Sequence, residues 1–310
     1  MKKIFILSIL VLFYALPALC NEQINHTDTS KLIGIGFHKK NELTPELQIK
    51  NIFLQYQKYV NTKSLEKLLN LHDDSYHSSD GYNKDRLKEL AIASWEEYPD
   101  LKHTIKIVNI TVDVDYATVI TDEKLIGTTK KQIELVSGNG FINSHSTSIY
   151  YLKKCSNEWK ITSDFVITEK TALRYGLAKY IPMSVDAPGI VTPNEEYTGI
   201  LKINTPRQYV ALVSINNEPI TFPVEKSTEV FRALKSTGIQ ERLLTSNNGG
   251  KNENVVASVG IAKPNIDGDN LSVNLLGIAF LSSRVNVIKH KTDNVKPIEN
   301  LYNEGKTINE

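Results

Sequence analysis

Downstream of residue 43 the apolar positions first recur every three or four residues. Ile49, Ile52, Phe53, Tyr56 and Val60 fall at helical spacing and predict a helix with one buried face. Thr44 can cap it, Pro45 suits the first helical position, where an N–H would lack a partner, and Glu46 sits at the positive end of the dipole. Asn61-Thr62 interrupts this helix and recaps a second, with Leu65, Leu68 and Leu69 as its apolar stripe. His72 to Ser79 is short and polar, a turn or small edge strand, and Asp80-Gly81 is a turn pair. Asn83 then caps a third helix carrying Leu87, Leu90, Ala91 and Trp95, which Pro99 ends.

From there the period changes to two. Ile105, Ile107 and Val108–Ile110 lead to a turn at Asp113-Val114-Asp115, and Ala117, Val119 and Ile120 follow. Gln132–Val136 runs into the hairpin signal Ser137-Gly138-Asn139-Gly140, then Phe141, Ile142 and Ile149–Leu152 reach a polar turn at Cys155. Trp159 to Ile167 closes the set. Helices first and an antiparallel meander afterwards predict an α+β layer, with helices on one face of a curved sheet.

Between 171 and 195 the pattern breaks. Thr171–Lys179 reads as a short helix, and Pro182, Pro188, Gly189 and Pro193 mark a connector. New strand patterns follow at Tyr197–Ile203, Tyr209–Ile215, Ile220–Val224, Val255–Ile261, Leu271–Phe280 and Arg284–Ile288. Turn signals at Asn216-Asn217, Asn247-Asn248-Gly249-Gly250 and Asp267-Gly268-Asp269 separate them. One helix interrupts, capped at Ser227 or Thr228, carrying Val230, Phe231 and Leu234 and stopped by Gly238. This half reads as a small β-sandwich. Immunoglobulin-like topology rests on strand number and spacing alone, because the Cys…Trp…Cys signature is missing.

The front of the chain adds a compartment. Met-Lys-Lys, an apolar run from Ile4 to Leu16 and the exit Pro17-Ala18-Leu19-Cys20 form a secretory signal peptide, too short an apolar run for a spanning helix. Cleavage after Cys20 is one expectation; lipidation at Cys20 is the rival, against which the bulky Leu19 counts. The expected divisions are a signal peptide at 1–20, a polar tether at 21–44, an α+β domain at 45–170, a connector at 171–195, a β-sandwich domain at 196–292 and a flexible tail at 293–310. The expected location is periplasmic or secreted, with a lipid anchor at Cys20 as the variant.

Charge narrows the partners. The 36 Lys+Arg and 35 Asp+Glu of the 310 residues leave a net charge near zero. That balance disfavours nucleic acid and an anionic membrane surface as main partners. With Cys20 removed or acylated, Cys155 is the one free thiol and no internal disulfide forms.

Candidate chemistry is sparse. His72-Asp73-Asp74-Ser75-Tyr76-His77-Ser78-Ser79-Asp80 is the densest polar run, yet its histidines are five apart and do not share a helical or strand face. A solvated loop is expected there, and no metal or cofactor. His103 and His145 have no acid beside them in sequence and receive no role. Tyr56 lies on the core face of the first helix, where a buried hydroxyl needs a partner. Trp95 and Trp159 read as core anchors.

Residues 45–170 resemble the NTF2-like superfamily, in its SnoaL-like branch. The carrying features are Tyr56…Tyr59-Val60-Asn61…Ser64-Leu65-Glu66-Lys67-Leu68-Leu69, Asp73-Asp74, Gly81-Tyr82-Asn83-Lys84-Asp85, and Tyr150-Tyr151-Leu152-Lys153-Lys154…Asn157-Glu158-Trp159-Lys160-Ile161. The resemblance implies a cone of helices around a curved sheet, an apolar pocket lined by residues such as Tyr56, Tyr82 and Trp95, and dimerisation through the sheet. Against the ketosteroid isomerase branch, Tyr56 matches the helix-one tyrosine. Ser79 stands where its aspartate base is expected, with Asp80 one position late. Its second acid would fall near Ser148 or Tyr150, neither of which is an acid.

The expectation is therefore an exported, envelope-associated protein acting in binding or assembly without catalysis, its partner an envelope protein or a small apolar ligand. One alternative is an isomerase- or hydratase-type enzyme using Asp80 and Tyr56. The other is a carrier of a lipid or cell-wall fragment.

Overall fold

The computed structural model describes residues 43–134, 136–221, 229–235, 237–267 and 270–289. The signal peptide, Cys20, nearly all of the tether, the Ser227/Thr228 cap and the tail lie outside the described residues. Two compact units emerge, and the chain visits them alternately. The N-terminal unit holds residues 43–130 and 145–166; the C-terminal unit holds residues 131–144 and those from 167 onward.

The N-terminal unit begins as the helical spacing requires. Helix α1 spans Pro45–Asn61, with the Thr44 hydroxyl accepting from the Leu47 N–H at 3.4 Å and Ile49 and Phe53 buried. A short α2, Leu65–Leu69, starts at Ser64 after Lys63 turns the chain with φ 54°. Asn83 caps α3, Lys84–Glu97, accepting from the Arg86 N–H at 3.1 Å.

The polar run between α2 and α3 is the small edge strand rather than the turn, and it is not a solvated loop. His72–Ser78 is strand β1, paired in parallel with β5 (Glu158–Gly176). Its alternation buries His72, Tyr76 and Ser78 and exposes Ser75 and His77. The sequence lacks apolar residues here because the buried face of this strand is polar, and period-two hydrophobicity cannot report such a strand.

Strands β2 (Lys102–Asp113), β3 (Tyr116–Ile133) and β4 (Val136–Cys155) complete the order β5-β4-β3-β2. The β2–β3 reversal falls at Val114, with φ 51°, as the Asp-Val-Asp signal predicts. The next reversal comes earlier than Ser137–Gly140, because β4 already begins at Val136. Helix α1 packs on β2 and β4: Phe53 meets the Tyr150 ring edge-on at 5.2 Å, and the Gln57 side chain accepts from the Ile105 N–H at 2.7 Å.

Among its described residues the C-terminal unit is all β apart from a single 3-10 turn, Leu177–Tyr180. Strands β6 (Met183–Asp186), β8 (Glu196–Ile203) and β11 (Ile239–Thr245) form an antiparallel sheet in the order β11-β8-β6. Strands β9 (Val210–Pro219), β12 (Glu253–Asp267) and β13 (Asn270–Val287) form a larger one. At its edges lie β10 (Arg232–Ala233), and β7 (Ile190–Val191) in parallel with β13. Tyr197, Leu201 and Ile203 from one sheet and Val213, Val255, Val259 and Leu281 from the other share one core.

Among the described residues, neither of two helices expected from sequence forms. Thr171–Lys179 continues β5 to Gly176, where residues 170–176 pair with β13, and only then turns. Residues 229–235 carry β10, which pairs with Val213 and Leu212 of β9. Tertiary pairing outranks local propensity for segments this short.

Glu253, fully buried, ties this unit together. It accepts from the Tyr197 hydroxyl at 2.6 Å, Asn217 at 3.2 Å, and the side chain and backbone of Asn247 at 2.9 and 3.2 Å. Gly277 marks the tightest approach. A Cβ there would lie 2.4 Å from the backbone N of Ala178. Gly277→Ala is expected to cost about 1–3 kcal/mol of stability, read as a lower urea midpoint at unchanged slope.

Candidate functional site

One group of polar and aromatic residues of the N-terminal unit gathers around Tyr56 of α1. Each element contributes through its inward phase: Tyr56 from α1, His72 and Tyr76 from β1, His103 from β2, Thr121 and Glu123 from β3, Tyr150 from β4 and Asp164 from β5. Tyr56 is central among them. Its ring lies 5.7 Å from His72, 6.0 Å from His103 and 6.2 Å from Tyr150, centroid to centroid. His72 in turn meets Tyr76 at 4.7 Å, and Tyr76 meets Tyr82 at 6.1 Å.

Two carboxylates anchor the cluster and behave oppositely. Glu123 accepts from His103 Nε2 at 2.8 Å, the Thr121 hydroxyl at 2.7 Å and the Tyr150 hydroxyl at 2.9 Å. Burial pushes this carboxyl up, but the His103 hydrogen bond and charge, with Thr121 and Tyr150, outweigh it and hold Glu123 below its ordinary value. Asp164 accepts from the Tyr76 hydroxyl at 2.7 Å. Burial dominates there, the Tyr76 and Ser78 hydrogen bonds offset it only in part, and Asp80 and Glu123 add like charge. Asp164 is therefore pushed up to about 6.

The two histidines are fixed in different ways. His72 Nδ1 lies 3.0 Å from the Leu68 carbonyl and donates to it, since a carbonyl can only accept. Burial, with the nearby Lys84 charge, outweighs that bond and brings His72 down to about 4, so it is neutral at pH 7. His103 is clamped through its backbone: its N–H donates to Asn61 Oδ1 at 2.7 Å, and its carbonyl accepts from Asn61 Nδ2 at 2.8 Å. Because Glu123 is held ionised, His103 Nε2 is the donor in their pair. Its Nδ1 is buried and has no hydrogen-bond partner among the described residues.

Burial also raises the Tyr56, Tyr76, Tyr82 and Tyr150 hydroxyls, with the neighbouring carboxylates adding to it, so all four are neutral donors. Tyr56 as a residue is only half-buried, while its hydroxyl end sits deep among these groups.

Of the residues singled out from sequence, Tyr56 and Tyr82 join this cluster. Asp80 is half-buried at its edge, its backbone N–H 3.3 Å from the Ser78 hydroxyl and its charge felt at Asp164. Trp95 is half-buried on α3, where its carbonyl accepts from Lys63 at 3.5 Å, apart from these ring contacts. Sequence reasoning missed His72, His103, Glu123 and Asp164. For Glu123 a signal existed: Ala117, Val119, Thr121 and Glu123 share one phase of β3, and that phase is buried.

These features define an α+β domain with a buried acid–base cluster around Tyr56 of its first helix. No protein-family model matches the chain, and no curated protein matches it. Solved structures do. A protein of the NTF2-like family from Streptomyces avermitilis is 13% identical, with 38% of this chain and 92% of that one covered and a TM-score of 0.32. The LinA-type3 hexachlorocyclohexane dehydrochlorinase from Novosphingobium barchaimii is 15% identical, with 39% and 85% covered and a TM-score of 0.33. Bd1075 of Bdellovibrio bacteriovorus is 13% identical over 38% of this chain and only 38% of its own length, with a TM-score of 0.31. With TM-scores of 0.31–0.33, this likeness carries no argument about fold or activity.

Proposed function

We propose that the N-terminal unit, read as an NTF2-like cone, transfers a proton on a small organic molecule, in an isomerisation or elimination. His103 is the base and Glu123 the residue that orients it. The observation that carries this reading is the buried His103 nitrogen without a partner, set opposite a nitrogen bonded to Glu123 at 2.8 Å. A base whose far nitrogen is fixed by a carboxylate, with its near nitrogen free, is the arrangement general-base catalysis requires. The tyrosine hydroxyls supply neutral donors for charge developing on the substrate. This reading replaces Asp80 with His103 and retains Tyr56 as a donor. The C-terminal unit, read as a β-sandwich, serves docking or assembly.

The test is deuterium exchange. The full chain is incubated in D2O with a panel of small ketones and β-halogenated or β-hydroxylated carbonyl compounds, each with and without an amino group, and carbon-bound deuterium is followed by mass spectrometry. His103→Ala is expected to lower the exchange rate roughly 10²–10⁴-fold with the fold intact by circular dichroism. Exchange no faster than buffer across the panel, or unchanged in His103→Ala, would overturn the proposal.

A further inference from the structure

The charge around Asp164 selects a class of ligand. Its hydrogen-bond partners are hydroxyls, Tyr76 at 2.7 Å and Ser78. Among the described residues no lysine or arginine pairs with Asp164 or with Glu123, which instead accepts from the His103 imidazole. Lys84, the cation whose charge reaches His72, is bonded to Asp74 at 2.8 Å and to the His72 carbonyl at 3.0 Å. The half-buried Asp80 adds further negative charge.

Rings surround these anions. Tyr56, Tyr76, Tyr82 and Tyr150 belong to the same cluster, a ring face attracts a cation, and Tyr56 is the half-buried one of the four. The unpartnered His103 Nδ1, more than nine-tenths buried beside Tyr56, is an independent mark of a place for a ligand's polar group.

We propose that this cluster binds a small organic ammonium ion, an amine on an apolar body, with its charge against Asp164 and its body on the Tyr56 ring. The proposal rests on reading the cluster as the substrate site and names the substrate class for it. Among the described residues, an anion meets the charge of Asp164, Glu123 and Asp80, while Lys84 is already bonded to Asp74. A neutral molecule leaves the Asp164 charge buried and uncompensated.

The test uses the full chain and three near-isosteric probes: benzylammonium, benzyl alcohol and benzoate. Calorimetric titrations at pH 6 and pH 8 in two buffers of different ionisation heat report affinity and proton uptake or release. Benzylammonium is expected to bind at least about tenfold tighter than benzyl alcohol, the step worth about 1.4 kcal/mol, with benzoate weakest. Because Asp164 titrates at about 6, binding the cation at pH 6 should expel about half a proton, and almost none at pH 8. Asp164→Asn should bring amine and alcohol to equal affinity.

Alcohol binding as tightly as the amine, benzoate binding more tightly, no amine binding, or binding without proton release at pH 6 would each overturn the proposal. The proton release is measured on the unaltered chain, so the test survives a variant that misfolds. Failure here with deuterium exchange intact leaves the proton-transfer reading standing. Amine binding without exchange does the reverse.

Discussion

Glu123→Ala is expected to lower the stability of the folded chain by about 3–5 kcal/mol, the cost of leaving three buried donors without their acceptor at roughly 1–3 kcal/mol each, offset in part because the buried carboxylate is gone. The magnitude follows from what remains. Glu123 receives bonds from His103, Thr121 and Tyr150 at 2.7–2.9 Å, and both side chains of the pair are 8% exposed. Alanine leaves an imidazole and two hydroxyls buried without their acceptor, each a desolvation cost that the wild type does not carry. Glu123→Gln keeps one acceptor oxygen and should lose markedly less. The measurement is urea unfolding followed at the tryptophans, Trp95 and Trp159, both in the N-terminal unit. Equal losses in the two variants would mean that volume, not hydrogen bonding, sets the cost. A loss below about 1 kcal/mol for Glu123→Ala would place the pair in the range of a solvated surface bridge.

The same pair shows what the sequence could disclose. Caps at Thr44 and Asn83, the stripe Ile49-Phe53 and the Asp113-Val114-Asp115 reversal were legible, because each is a local rule that local residues satisfy. Glu123 was legible in principle, since it continues the buried phase set by Ala117 and Val119. Its partner lies 20 residues away on β2, and nothing near His103 in sequence announces it. Asp164 was not legible by phase at all. Trp159 and Ile161 are buried, so strict alternation points residue 163 inward, yet Asp164 is the buried residue. The pairing of β1 on β5 shifts register over the same stretch, His72 opposite Ile161 but His77 opposite Ser163. The break of phase between Ile161 and Asp164 coincides with that irregularity, and only tertiary structure contains it.

Asp164→Asn should change the shape of the stability–pH curve more than its height at acid pH. Asp164 has an ordinary value of 3.8 and titrates at about 6 when folded. A folded value above the unfolded one means that the folded state holds the proton more tightly. The stability it contributes is complete below about 3.8 and is lost as pH rises through about 6. The loss amounts to about 3 kcal/mol, from roughly two units at 1.36 kcal/mol each.

His72 runs the other way. Its value falls from 6.5 to about 4 on folding, so stability is complete above 6.5 and is lost as pH falls through 4. Between pH 4 and 6.5 the two groups oppose each other, and in the wild type their slopes largely cancel. Asparagine can still accept from Tyr76 but cannot titrate, so the variant should expose the His72 limb alone. Its unfolding free energy should climb by about 3 kcal/mol between pH 4 and 7, while the wild type stays nearly level. Guanidinium midpoints taken every half unit of pH give both curves. Parallel curves would show that Asp164 keeps its ordinary value in the folded chain, and that a hydroxyl-bonded carboxylate in this cluster is solvated well enough to ionise at no cost.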